Sequence, residues 1–422
     1  MTRQVPMGRQ LSKLGTAGMR VHAATVGLLS VWLCGAAAGA WAVYDTASAP
    51  FGGNQILKVA YDASRGVYAR NGRGELFRYS GAVWVKVPVD TAAAQYFFGP
   101  IVAHAGAVWQ GTPWWGLVRV NADETTQRFD TANSCLPGSE AVPLGLDASG
   151  RLIVFSGRWY GLGGQALDVV RFDGTACESI SIGRFAMTEY VLSTYSRDSA
   201  GVEWFVATCM SDVPTCGQLG GVYALRGDTL QRVLEQEYWL GAPALVSDRE
   251  ATYAACGAAI AVIGPDSTRM IDSVLGRGLR RVSCMLHDSR GALWVGTEGY
   301  TYDTVHIGLV RMTARDTVIT NHTNSGFRGY FPMDMVEDGG GRIWIGTYLH
   351  GLWVYTYDDS AGIGTRNSFR KSGPTASERG RPCARSYDIR GRVLLRGTGY
   401  QGLTVWMDHG AAEVRLGSRR GR

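Results

Sequence analysis

A ten-residue pattern returns along this chain at an interval too short for an independent domain. Asp288-Ser-Arg-Gly291 runs through Trp294 to Gly296-Thr297, and Gly308-Leu309 follows. Fifty residues later Asp338-Gly-Gly-Gly341 runs through Trp344 to Gly346-Thr347, followed by Gly351-Leu352. A third copy has Asp388, Gly391, Gly397-Thr398 and Gly402-Leu403. Earlier copies are degenerate but aligned, with turn positions at Gly66, Gly106, Gly150, Gly201 and Glu250. That makes eight units, spaced 40 to 51 residues apart. A segment of about 45 residues rarely buries a core alone, so repeated units must stack and cover one another.

The residue types say what each unit is. Asp can hydrogen-bond nearby backbone amides and Gly accepts positive φ, so the Asp-to-Gly step is a tight turn. Short alternating apolar strands follow, and Trp suits a sheet packed on another sheet. The 57 Gly and 13 Trp among 422 residues fit repeated hairpins, and no collagen-like Gly period occurs. The expected fold is all-β: four-stranded antiparallel blades packed radially as a β-propeller. The repeat count predicts eight blades, or seven if the weak fifth unit is not one. No useful helical periodicity follows the N-terminal region.

The spacing D-x-x-G-x-L-W-x-G-T…G-L-x-x-Y resembles the two-component regulator propeller repeat. Asn324-Ser-Gly326-Phe327 and Asn133-Ser-Cys135-Leu136 resemble the segment that leads into such repeats. The resemblance covers residues 55–407 and is strongest in units six and seven. It implies a propeller of the kind found in periplasmic sensor regions of hybrid histidine kinases, many of which detect oligosaccharides. No kinase pattern follows the repeats, so a sensor-type propeller without its own kinase is expected. The motif is structural and carries no catalytic residue.

The N-terminal region predicts export. Residues 1–20 are basic, no charge occurs from Ala23 to Val43, and the small-x-small sites Ala38-Gly39-Ala40 and Ala40-Trp41-Ala42 follow. This reads as a secretory signal over residues 1–42, the alternative being an uncleaved membrane anchor. Residues 43–415 are then the propeller, placed in the periplasm or outside the cell, and residues 416–422 a basic tail. Export permits disulfides, and Cys209 and Cys216, flanking a short turn, are the expected pair. The net charge of +6 owes +4 to Arg3, Arg9, Lys13 and Arg20, so no basic stripe supports nucleic-acid binding.

A ligand site is expected on the hairpins that follow each Gly-Thr. They carry Trp114 and Trp115, Trp159 and Tyr160, Tyr300 and Tyr302, Tyr348 and His350, and Tyr400. A four-stranded meander puts these hairpins on the face opposite the Asp-Gly turns. Aromatic rings there can stack on a sugar-like ligand, or simply cover the neighbouring blade. Both readings stand at this stage. Other chemistry finds little support. Ser368-Phe-Arg-Lys371 resembles a penicillin-binding motif but lacks a helix, and the His residues have no metal-binding spacing. The Asp-to-Trp spacing is one residue longer than the Asp-box of sialidases. No cofactor or metal is expected. The predicted function is non-catalytic recognition of a glycan-like ligand or an envelope protein. The alternatives are a propeller polysaccharide lyase or glycosidase, and a structural scaffold of an envelope complex.

Overall fold

The computed structural model describes residues 40–89, 99–112, 115–157, 168–180, 190–209, 221–227, 229–235, 244–298, 308–314, 316–320, 327, 329 and 331–358. It also describes the short strands at 386–387, 393–394, 403–408 and 411–416.

In chain order, β1 is Ala40–Tyr44. Blade 1 contains β2 (Ile56–Asp62), β3 (Gly66–Asn71), β4 (Leu76–Tyr79) and β5 (Trp84–Val87). Blade 2 contains β6 (Ile101–His104), β7 (Ala107–Gly111), β8 (Leu117–Val120) and β9 (Thr126–Phe129). Blade 3 contains β10 (Glu140–Leu146), β11 (Leu152–Gly157), β12 (Asp168–Phe172) and β13 (Cys177–Ile180). Blade 4 contains β14 (Tyr190–Arg197), β15 (Glu203–Cys209), β16 (Gly221–Arg226) and β17 (Thr229–Glu235). Blade 5 contains β18 (Leu245–Ser247), β19 (Thr252–Cys256), β20 (Ala259–Ile263) and β21 (Thr268–Ile271). A small hairpin, β22 (Ser273–Val274) and β23 (Arg277–Gly278), precedes blade 6. Blade 6 contains β24 (Val282–His287), β25 (Leu293–Thr297), β26 (Leu309–Met312) and β27 (Thr317–Thr320). Blade 7 takes β28 (Pro332–Glu337), β29 (Ile343–Thr347) and β30 (Leu352–Thr356) from this end of the chain. Its fourth strand is β1, paired antiparallel with β30 from Ala40↔Thr356 to Tyr44↔Leu352.

The first strands neighbour one another in the order β2, β6, β10, β14, β18, β24, β28, and β28 neighbours β2 again. The seven sheets therefore form a closed ring, a seven-bladed β-propeller. This corrects the count of eight. The weak fifth unit is a blade after all. The unit at Gly391 is the one outside the ring, where β31 (Ser386–Tyr387) pairs with β32 (Val393–Leu394) and β33 (Leu403–Asp408) with β34 (Ala411–Leu416). The ring had no place for it, because the N-terminal strand completes the last blade.

The core is distributed between the blades. Among the described residues, seven clusters of buried side chains occur, and each draws on two neighbouring blades. Between blades 1 and 7, for example, Phe51, Phe77 and Trp84 meet Trp344, Leu352 and Val354. The second strands are consequently apolar on both faces, and β25 and β29 are buried at every position.

The repeat motif fixes its own turn. The Asp338 carboxylate accepts the amides of Gly340 at 2.9 Å and Arg342 at 3.0 Å, and the Trp344 indole N–H at 2.8 Å. Asp288 does the same with Arg290, Ala292 and Trp294. Asp198 accepts Val202 and Trp204, each at 2.9 Å. Where the Trp is missing, Asp147 takes the Arg151 guanidinium instead, at 2.8 Å. The motif thus ties a hairpin to the large side chain that enters the seam. Burial works to raise the Asp338 carboxyl. Hydrogen bonds from Trp344 and Arg342 overcome this and hold it below the usual carboxylate range.

A disulfide that sequence reading did not foresee joins Cys135, after blade 2, to Cys177 on the outermost strand of blade 3, with Cα atoms 5.7 Å apart. Cys216, half of the expected pair with Cys209, lies outside the described residues.

Two outcomes follow from these pins. Asp338→Ala leaves a buried indole N–H and two amides unpartnered, and should lower unfolding stability by about 3 kcal/mol in denaturant titrations. Its contribution is fully present above the unfolded carboxylate pKa of about 3.9 and disappears as pH falls through the depressed folded value. Acid unfolding of Asp338→Asn should therefore show a shallower pH dependence than wild type. Opening the Cys135–Cys177 bridge, which closes a loop of 42 residues in sequence separation, should cost about 4 kcal/mol in the chain-entropy picture. Melting curves with and without reductant measure it.

Candidate functional site

The hairpin after Gly-Thr joins the second strand of a blade to the third. Its Thr is buried and holds the turn. Thr112 Oγ1 donates to the Gly116 carbonyl at 2.8 Å and accepts the Trp115 amide at 2.9 Å. Thr347 Oγ1 donates to Gly351 at 2.7 Å and accepts the His350 amide at 3.0 Å. Gly351 has φ 75°. A side-chain carbon there would lie 2.3 Å from the Tyr44 carbonyl oxygen of β1. Gly116 stands in the same relation to the Phe129 carbonyl, at 1.9 Å. The Gly-Thr…Gly-Leu half of the repeat is thus a pinned turn whose tip points away from the sheet.

Of the predicted tip residues, Trp115, Tyr348 and His350 are described. Trp115 in blade 2 is 36% exposed, and the Arg128 guanidinium stands 5.4 Å from its ring centre. Arg128 also donates to the Trp115 carbonyl at 3.0 Å and pairs with Asp130 at 2.8 Å, so this ring is held at a fixed angle. Tyr348 in blade 7 is 40% exposed and lies edge-on to Phe331, with centroids 6.3 Å apart. His350 is half-buried. Burial lowers its pKa, so the imidazole is neutral near pH 7. Its carbonyl accepts the Trp353 indole at 2.9 Å, which ties the hairpin to the seam below. Trp114, Trp159, Tyr160, Tyr300, Tyr302 and Tyr400 lie outside the described residues.

Blade 1 separates these two tips, and its own hairpin presents exposed Arg73. Blade 6 has Glu298 directly after Thr297, the place that Tyr348 takes after Thr347. The backbone repeats as well: the Glu298 amide donates to Arg281 at 2.8 Å, as the Tyr348 amide donates to Phe331 at 3.1 Å. Burial raises the Glu298 carboxyl, although the Arg281 guanidinium, 3.3 Å away, opposes the shift. Blades 2, 1, 7 and 6 therefore present an indole, a guanidinium, a phenol and a carboxylate in succession along one face. Arg73, Arg281 and Glu298 were missed from sequence because the search there was for aromatics. Aligning the residue after each Gly-Thr would have shown Glu298.

The channel wall holds a second polar group. Asp334 on β28 accepts the Val59 amide of β2 at 3.0 Å, a side-chain staple across the ring closure. Burial raises its carboxyl, with Lys58 opposing. Arg70 on β3 is fully buried and donates to the Gly99 carbonyl at 2.6 Å; burial pushes its pKa down to about 10. Among the described residues, no group of three or more His, Cys, Asp or Glu is placed to hold a metal ion.

Thr347→Val should remove the pin of the blade 7 hairpin and cost about 1 to 2 kcal/mol. Gly351→Ala should cost more, because it forces the turn off the β1 backbone. Paired urea titrations would rank the two.

Residues 277–299, the approach to and first hairpin of blade 6, match the two-component regulator propeller family. No curated protein matches the chain in sequence. Among solved structures it is similar to the extracellular domain of the putative one component system BT4673 from B. thetaiotaomicron, with TM-score 0.54, 12% identity, and 72% of this chain and 38% of that one covered. It is similar to the extracellular domain of the putative hybrid two component system BT3049 from the same organism, with TM-score 0.51, 10% identity and coverage of 72% and 40%. A catalytically inactive virginiamycin B lyase from Staphylococcus aureus gives TM-score 0.52 at 10% identity, with coverage of 76% and 100%. The chain thus spans less than half the length of these two extracellular domains. By its closed ring of four-stranded meander sheets, the chain is a seven-bladed β-propeller in which residues 277–299 match the two-component regulator propeller repeat.

Proposed function

We propose that this chain is an exported, non-catalytic recognition propeller of the sensor type, and that its ligand seats on the face bearing the Gly-Thr hairpins. One observation carries the reading. Of the eight exposed large apolar side chains among the described residues, Trp115, Tyr348 and Leu349 stand on these hairpin tips. Ordinary rim packing buries such rings, whereas these keep 36% and 40% exposure while their backbones are pinned from below. The ions between and beside them, Arg73, Arg281 and Glu298, suit the edge hydroxyls of a glycan-like ligand or the polar groups of a partner-protein segment. Likeness to the extracellular domains of a putative one component and a putative hybrid two component system supports an exported recognition role.

The test is a thermal-shift and calorimetric screen of the exported protein against oligosaccharides and envelope proteins, with each hit assayed for breakdown. Binding without turnover is expected. Trp115→Ala and Tyr348→Ala should each weaken that binding about tenfold, equivalent to a stacking contact of about 1.4 kcal/mol, and leave the melting temperature within about 2 °C. Turnover of a hit would overturn the non-catalytic reading, and a large loss of melting temperature in both variants would return the rings to a packing role.

A further inference from the structure

Strand β1 links the export segment to the ring. Its two aromatic side chains enter different seams. Trp41 reaches towards blade 6, with ring centroids 5.1 Å from Phe327, 4.9 Å from Tyr355 and 6.3 Å from Trp353. Tyr44 reaches towards blade 1, 6.0 Å from Trp344 and stacked with it, 5.7 Å from Tyr79 and 5.9 Å from Trp84. Between them β1 supplies five ladder positions to β30. Without it, the Leu352-Trp353-Val354-Tyr355 edge of blade 7 stands open, an apolar strand edge of the kind that aggregates.

The same residues overlap the processing sites. Three small-x-small triplets lie in succession: Ala36-Ala37-Ala38, Ala38-Gly39-Ala40 and Ala40-Trp41-Ala42. A cut after the third removes Ala40, Trp41 and Ala42, three of the five ladder positions, together with the anchor in the seam to blade 6. A cut after either of the first two leaves Trp41 in the mature chain. We propose that the leader ends before Trp41, by processing after Ala38 or Ala40, so that the new N-terminus is itself the outer strand that closes the propeller. The proposal rests on the export reading above and sharpens its boundary. A leader taken to end at residue 42 would discard half of the clasp.

Expressing the full chain and determining the N-terminus of the exported fraction by intact mass tests the proposal. A chain beginning at Gly39 or Trp41 is the expected result. A chain beginning at Val43 overturns the proposal, as does an exported chain that keeps its whole N-terminal segment. Retention of all product in the cytoplasm overturns the export reading itself, and is distinguishable from both. Independently, Trp41→Ala in the full chain should lower the melting temperature of the purified protein by roughly 5 °C, while Ala42→Ser leaves it unchanged. Coincident melting of wild type and Trp41→Ala would show that the clasp does not need Trp41 and would overturn the assignment.

Discussion

Among the described residues, none of the seven blades has a hydrophobic core of its own. Each is covered on both faces by its neighbours, and the buried side chains divide into seven seams with one blade on either side. A ring of this kind holds only if it closes, because an open end leaves two apolar sheet faces in water. Closure therefore bears on every blade. It is made by an N-terminal strand bound to the last sheet, by the Asp334 carboxylate on the Val59 amide, and by the Gly351 amide on the Asn54 carbonyl. Phe51, just after β1, fills the same seam.

The repeated residues serve this packing at both ends of a blade. At one end the Asp carboxylate holds its own turn and the indole that enters the seam, so turn and core form together. At the other, a buried Thr hydroxyl holds a turn whose Gly comes against the neighbouring strand backbone. Since the pins lie below the tips, the tip residues can vary from blade to blade without loosening the sheet. This is why the arc from blade 2 to blade 6 can carry an indole, a cation, a phenol and a carboxylate at positions that are structurally alike.

Several features were legible because they are local. The Asp-to-Gly step and the Gly-Thr turn each follow from residues within ten positions of one another, whereas the second strand, expected to alternate, is buried on both faces in β25 and β29. The same local chemistry also misled. Gly391 follows Asp388 in sequence just as Gly341 follows Asp338, yet the described strands of that unit pair in two separate two-stranded sheets and belong to none of the seven blades. A turn motif specifies a hairpin and does not specify which sheet completes a circle. Cys135 and Cys177 were equally opaque, since the spacing between them has no signature and their proximity arises only when blade 3 folds beside the chain leaving blade 2.

Trp41 shows the division most directly. In the sequence it ends an uncharged apolar run, and burial in a bilayer and burial in a protein seam call for the same residue types. Nothing local tells them apart. Composition, spacing and turn chemistry by themselves determined an all-β repeat protein of four-stranded units. The tertiary structure alone decided that there are seven blades, that the N-terminal strand is the seventh blade's outer strand, and that Glu298 and Arg281 stand beside Tyr348's blade. The reason is physical: strand formation depends on neighbours along the chain, whereas ring closure depends on contacts between residues far apart in sequence, as between Val59 and Asp334, 275 positions apart.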